Sequence, residues 1–479
     1  MIRPCLAFAL SASLAFNSVA AGLPDLGDAS AADLSPATER RLGEQIMRDI
    51  RWNEPSYLDD PEVESYLNAL GGQLVAAAGG ESSFRFFAMR DPTLNAFAMP
   101  GGYIGVHTAL ILAARTESEL AAVLAHEIAH VNQRHIARMV GKQGQSNLLM
   151  LASLLVAVLA AGSSDQVAQA AVAGGAAAGI QSRLGYTREF EREADRIGLS
   201  TLEASGFDVR GMPGFFERLQ RESRLYENNA PAYLRTHPLT VERIADMENR
   251  VAKMRYRQVP DSDDFTLVQA RLATAAGSAA DVLAREHKAW ASASKPGPAQ
   301  RYGYVNALLR AGQLDEAWRV FGGFAPAERT AMIAALGAEV AVARHDWRGA
   351  EALLSPAIAR FPNARYLHYR RADAWTAGGQ ARRSIDALRP LAADYREDVE
   401  LWTRLAQAYQ AADETREYHR AQAEVYAMQG LWMPATEQLE LARRSGTADF
   451  YAQSAIDARL RELRTRADEA RDLERRSGR

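Results

Sequence analysis

Beyond about Val259 the chain repeats itself with a period of 34 residues, and this restricts the second half more than any other feature. Gly312, His345, Gly379 and Asp413 mark turns between paired helices, at separations of 33, 34 and 34 residues. Five residues after each stand Ala317, Ala350, Ser384 and Tyr418, while Pro326 and Pro362 fall near the ends of second helices. A helix pair cannot bury its own apolar face, so neighbours must stack through small side chains at the crossings. The period therefore predicts an all-α tetratricopeptide-repeat solenoid over residues 259–457. A further turn at Gly430, with Ala435 behind it, comes only 17 residues after Asp413, so one helix there is expected to serve two neighbouring pairs. The remaining stretch, 458–479, carries eight arginines and five acidic residues from Arg459 onward and is expected to be a solvated helix or tail.

A chain of 479 residues is too long for one core, so the first half is read as a domain of its own, over 21–258. The net charge of −3 offers no field to draw nucleic acid, which is excluded as a partner. Residues 1–20 have the layout of a secretory signal peptide: a lone Arg3, an apolar stretch around Leu6 to Phe16, and Ser18-Val19-Ala20 before Ala21. The single cysteine, Cys5, lies inside that segment, so an exported chain needs no disulfide.

In the first half, Ser35-Pro36 and Asp60-Pro61 read as helix starts, a cap followed by a first-turn proline. Phe84 to Phe87, Asn95 to Met99 and Tyr103 to Val106 read as a small sheet with a tight turn at Pro100 to Gly102. Thr116 to Val140 reads as one long helix with Glu117 and Glu119 at its positive end. Leu148 to Gly162 is apolar but shorter than the roughly 20 residues that span a bilayer, so a buried helix or a peripheral membrane-surface helix is expected there. Val167 to Ile180, rich in Ala and Gly, suits close packing or a lid.

His126-Glu127-Ile128-Ala129-His130 carries the chemistry. Positions four apart differ by about 40° around a helix, so both imidazoles can hold one Zn2+ ion, with Glu127 beside them as a general base. A third protein ligand is required. His135 is nine residues from His126, about 180° away if the helix continues, and so is expected to be a surface or structural residue. Glu191 and Asp195, four apart in Glu189 to Asp195, are the better source: one as ligand, the other steadying a ligand histidine. His237, in a loop before the helix that Thr240 can cap, is either a turn residue or a third histidine at the metal. In the latter case it stabilises the oxyanion or holds the fourth position in a latent enzyme.

Together, His126 to His130, Glu191-x-x-x-Asp195 and Asn95 to Gly102 resemble the M48 metallopeptidases, over roughly residues 40 to 255. With the signal peptide and the repeats, the chain is similar to the bacterial periplasmic branch of that family. The resemblance implies an α+β zincin-like domain, mostly helical with a small sheet. It implies one Zn2+ per chain with Glu191 as third ligand, and a substrate strand lying along Asn95, Ala96, Phe97, Ala98 and Met99. It also implies work on unfolded or misassembled outer-membrane proteins, with the β-barrel assembly machinery as a partner through the repeats. The rival expectation is a chaperone or adaptor with a zinc-stabilised first domain, against which the intact Glu127 stands. An intramembrane or prenyl-protein peptidase, also found in the family, is disfavoured by the absence of a long apolar run outside the signal.

Overall fold

The computed structural model describes residues 34–79, 83–141, 188–223, 232–445 and 450–477. The signal segment, Leu148 to Gly162 and Val167 to Ile180 lie outside the described residues. Among those described, no helix is long and apolar enough to cross a membrane.

The first half is built as expected from its caps. Helix α1 (Pro36–Asn53) starts at Ser35, whose side chain accepts from the Thr38 amide, and α2 (Pro61–Ala78) starts at Asp60, which accepts from Glu62 and Val63. Strands β1 (Arg85–Met89), β2 (Ala96–Met99) and β3 (Tyr103–His107) form a mixed sheet in the order β1-β3-β2. β1 runs parallel and β2 antiparallel to β3. The turn between β2 and β3 needs glycine: Gly102 has φ +84°, and a Cβ there would lie 2.0 Å from the Ser83 carbonyl oxygen. After the short α3 (Thr108–Ala113) comes the buried helix α4 (Glu117–Asn132).

The single helix expected over Thr116 to Val140 is interrupted. α4 ends at Asn132, Arg134 takes a left-handed φ of 51°, and a new helix, α5 (His135–Gly141), begins. The domain continues through α6 (Arg188–Ala204), α7 (Gly211–Ser223), α8 (Ala232–Thr236) and α9 (Val241–Val251).

The second half is helical throughout its described residues. After α10 (Asp263–Ala275) and α11 (Ala279–Ser292), helices pair as α12 (Pro298–Arg310) with α13 (Leu314–Phe321), α14 (Ala331–Ala343) with α15 (Trp347–Arg360), α16 (Arg365–Ala377) with α17 (Ala381–Asp394), and α18 (Val399–Ala411) with α19 (Thr415–Met428). The periodic turn positions share one backbone conformation: φ is 71° at Gly312, 60° at His345, 75° at Gly379, 58° at Asp413 and 75° at Gly430. Ala317, Ala350, Ser384 and Ala435 are fully buried at the crossings. α19 packs on both α18 and the following helix α20 (Trp432–Arg444). The last helix, α21 (Phe450–Ser477), is not wholly solvated: Ile456, Leu460 and Leu463 pack on Leu439 and Ala442.

Repeats and first domain share one apolar cluster, running from Leu67 and Val123 through Phe265 and Tyr302 to Leu405. Polar ties fix the start of α4 to the start of the repeats. The Glu117 carboxylate accepts from the Ser262 amide (2.9 Å), the Ser262 hydroxyl (2.7 Å) and the Tyr66 hydroxyl (3.0 Å). At the α2 junction, buried Glu62 is paired with Arg271 (2.8 Å) and Arg370 (3.1 Å).

Candidate metal centre

Helix α4 carries His126, Glu127 and His130 into the core, where each is at most 1% exposed. The two Nε2 atoms converge to 3.0 Å. α6 crosses α4 at Gly198, whose missing side chain makes the approach possible: a Cβ there would lie 3.0 Å from the His126 amide nitrogen. That crossing delivers Glu191, with Oε2 3.5 Å from His126 Nε2 and Oε1 3.5 Å from His130 Nε2. His237, just after α8, completes the cluster, its Nδ1 3.4 Å from His126 Nε2 and 3.1 Å from Glu191 Oε1.

These spacings fit zinc. Metal–ligand bonds of about 2.0–2.1 Å in a tetrahedron put ligand atoms about 3.3 Å apart. The ligand atoms of His126, His130, Glu191 and His237 all lie within 4.8 Å of one another, and the closer pairs fall at 3.0–3.5 Å. Three nitrogens and one carboxylate are a donor set that zinc takes readily.

The outer contacts of both histidines on α4 free the same nitrogen. His126 Nδ1 is 3.0 Å from Asp195 Oδ1, so it holds the proton and leaves the Nε2 lone pair for a metal. His130 Nδ1 is 2.8 Å from His135 Nδ1, and His135 Nε2 is 3.2 Å from the Glu193 carboxylate. With Glu193 accepting from His135 Nε2, His135 Nδ1 accepts from His130 Nδ1, and His130 Nε2 is again left free. His135 is thus not the surface residue that a continuous helix would make it. The break at Arg134 turns it back toward the site, where it is completely buried, stacked on Phe190 at 4.5 Å.

The charges follow from these contacts. Burial lowers His126, but the carboxylates of Asp195 and Glu191 outweigh it and raise the ring to about 10. A cluster that holds a proton this tightly exchanges it for a cation on metal binding. Burial, with the neighbouring His126, lowers His130, and burial lowers His135 to about 4, keeping both rings neutral. Glu191 is held well below the usual carboxylate range, because His237 and His126 outweigh the burial that would raise it. Glu127 goes the other way: burial raises it despite His237 and His126 nearby. Its carboxylate is fully buried, with His237 Nε2 3.5 Å from Oε1.

Asn95 and β2 lie beside this centre, β2 as one of the two edge strands of the described sheet, with Asn95 and all four residues of β2 buried. The Asn95 carbonyl accepts from the His107 amide at 3.0 Å. By antiparallel alternation, the backbone groups of Phe97 and Met99 also face β3. Those of Ala96 and Ala98 face away from it, and the Ala98 amide stands beside Glu127.

Three contributors escaped the reading of the sequence. Arg243 donates from Nε and Nη2 to Asp195 at 2.7 and 2.8 Å, and its Nη1 is 2.9 Å from Glu191 Oε2. One signal was there: Arg243 sits in the first turn of α9, where the helix dipole disfavours a cation unless something else holds it. Glu193 was one member of an acidic run with nothing to distinguish it. Tyr233, one turn before His237, stacks on that ring with centroids 4.7 Å apart.

Comparison with known proteins agrees with this geometry. Residues 60–251 match Peptidase family M48. The chain is 34% identical over 460 residues to the Beta-barrel assembly-enhancing protease of Escherichia coli (strain K12), an alignment covering 94% of this chain and 93% of that protein. It is 32% identical over 446 residues to the protein of the same name from Yersinia pestis, covering 92% and 91%. A Putative beta-barrel assembly-enhancing protease of Vibrio cholerae is 38% identical over 301 residues, covering 62% and 61%.

Proposed function

Since the chain belongs to peptidase family M48, we propose that it is a periplasmic zinc endopeptidase that hydrolyses peptide bonds of misassembled outer-membrane proteins. The observation that carries the reading is the convergence of His126, His130 and Glu191 at tetrahedral spacings beside a fully buried carboxylate, Glu127. A purely structural zinc site has no use for such a base, which argues against an adaptor with a metal-stabilised first domain.

In this proposal His126, His130 and Glu191 hold the ion, and Asp195 orients His126. Bound zinc supplies Lewis acidity toward a peptide carbonyl and acidifies water. Glu127 takes one proton from the attacking water and hands it to the leaving amine; its raised affinity for a proton suits that double role. An extended substrate adds to the edge of β2, pairing with the outward backbone groups of Ala96 and Ala98. That places the scissile bond beside Glu127. His237 is read as the side chain that closes the fourth position at rest.

The relatives' names speak of β-barrel assembly, and for this chain we assign the repeats of 259–457 the recruitment of unfolded barrel proteins or of the machinery that assembles them. Residues 1–20 act as the export signal. The deciding experiment compares the wild-type protein with Glu127→Gln on an unfolded outer-membrane protein, with zinc content measured in both. Cleavage by the wild type alone, at equal zinc, is expected. Equal cleavage by the variant would remove Glu127 and the mechanism with it.

A further inference from the structure

Tyr233 lines the metal centre and has no part in the mechanism above. It is 1% exposed, and its hydroxyl has no hydrogen-bond partner among the described residues. Leaving a buried hydroxyl unpaired costs about 1–3 kcal/mol, whereas phenylalanine would fill the same space without that cost. The hydroxyl is therefore suited to a partner that arrives with the substrate.

Its placement shows which partner. The Tyr233 amide donates to the Leu94 carbonyl at 3.0 Å, fixing α8 to the entrance of β2, the strand along which the substrate is read to lie. Its ring stacks on His237 (4.7 Å, 24°) and lies 6.4 Å from the His126 ring and 6.0 Å from Phe216. Glu127 is the foremost charge acting on the hydroxyl, followed by Glu191. The hydroxyl is thus on the side of the site where Glu127 and the metal ligands meet, behind the ring of His237. Both residues sit on one turn of backbone, the His237 amide donating to the Tyr233 carbonyl at 2.8 Å, so the stacked ring of Tyr233 borders the space that the His237 ring fills.

We infer that Tyr233 is a further catalytic residue, whose hydroxyl donates a hydrogen bond to the oxyanion that develops on the scissile carbonyl. The inference rests on the peptidase reading given above. Water forms the new C–O bond, the C–N bond breaks, and Glu127 carries one water proton to the departing nitrogen. The Tyr233 O–H bond stays intact throughout, and only its hydrogen bond strengthens as negative charge collects on the oxygen.

Tyr233→Phe tests this, because it removes one oxygen and keeps the ring. Loss of a single oxyanion donor lowers kcat by about 10²–10³-fold. We expect a loss of that order with KM and zinc content unchanged, and a parallel loss of affinity for a phosphinic peptide, whose tetrahedral anion mimics the transition state. The same loss is expected in a His237→Ala background. Wild-type kcat in Tyr233→Phe overturns the inference, as does a defect confined to KM or zinc content. Disappearance of the effect in the His237→Ala background also overturns it, since Tyr233 would then act only by positioning His237. Failure of the wild type to cleave, or full cleavage by Glu127→Gln, would instead count against the peptidase reading.

Discussion

Arg243 grips Asp195 through two hydrogen bonds, 2.7 Å from Nε and 2.8 Å from Nη2, and so fixes the carboxylate that orients His126. All three side chains are buried, and Arg243 also faces Glu191 at 2.9 Å. Arg243→Met would leave two buried carboxylates without their cation. A loss of about 3–5 kcal/mol in stability is expected, since removing one partner of a buried pair strands the other. Denaturant titration of the zinc-free protein measures it directly. An unchanged midpoint would mean that the guanidinium carries no net stabilisation.

The second outer contact, His130 to His135 to Glu193, is tested by Glu193→Gln. The amide no longer holds the proton on His135 Nε2 with a full charge, so the preference for a free His130 Nε2 weakens. Zinc affinity should fall about 10- to 100-fold, the usual effect of removing an outer partner of a ligand histidine. Competition with a chromogenic chelator reads this out. The exposed Glu189→Gln serves as control, and an equal fall in both variants would show that general charge, not the contact, is responsible.

What the sequence made legible was local. His126, Glu127 and His130 needed only helical spacing, and the repeat turns needed only periodicity, since Gly312, Gly379 and Gly430 stand where the backbone is left-handed. His345 and Asp413 adopt the same conformation and were found through the period alone. The break before His135 was hidden because Arg134, a residue with no preference for it, takes the left-handed turn. A continuous helix put His135 on the far side; two residues of irregular backbone brought it to His130. Glu193, Arg243 and Tyr233 were not legible as site residues because their partners lie on other elements, joined only by the crossing of α6 on α4 and the packing of α9.

His237 closes the cluster with Nδ1 3.1 Å from Glu191 Oε1 and Nε2 3.5 Å from Glu127 Oε1. In the proposed mechanism a side chain in that place competes with substrate and water. His237→Ala is therefore expected to raise basal cleavage of an unfolded substrate severalfold while zinc, held by His126, His130 and Glu191, is retained. Abolished cleavage at full zinc content would instead make His237 a catalytic group.

Asp59, in the turn before α2, meets Glu400 of α18 across the junction between first domain and repeats, and the two carboxyl groups share a hydrogen bond. Asp59 is exposed as a residue, but partial desolvation of its carboxyl at the junction, then repulsion from Glu400, raises it to about 6, while Arg404, paired with Glu400, outweighs desolvation and keeps Glu400 ionised. The folded chain therefore keeps a proton on Asp59 that the unfolded chain releases near its ordinary value of about 3.9. Between those two values the folded state binds more protons, so this contribution to stability is fully present below about 3.9 and is lost as pH rises through about 6. Asn at this position is neutral at every pH and still donates to Glu400. The Tm of Asp59→Asn should exceed that of the wild type at pH 7.5, by a margin that shrinks steadily as the pH is lowered toward 4. A margin independent of pH would show that the junction does not hold this proton.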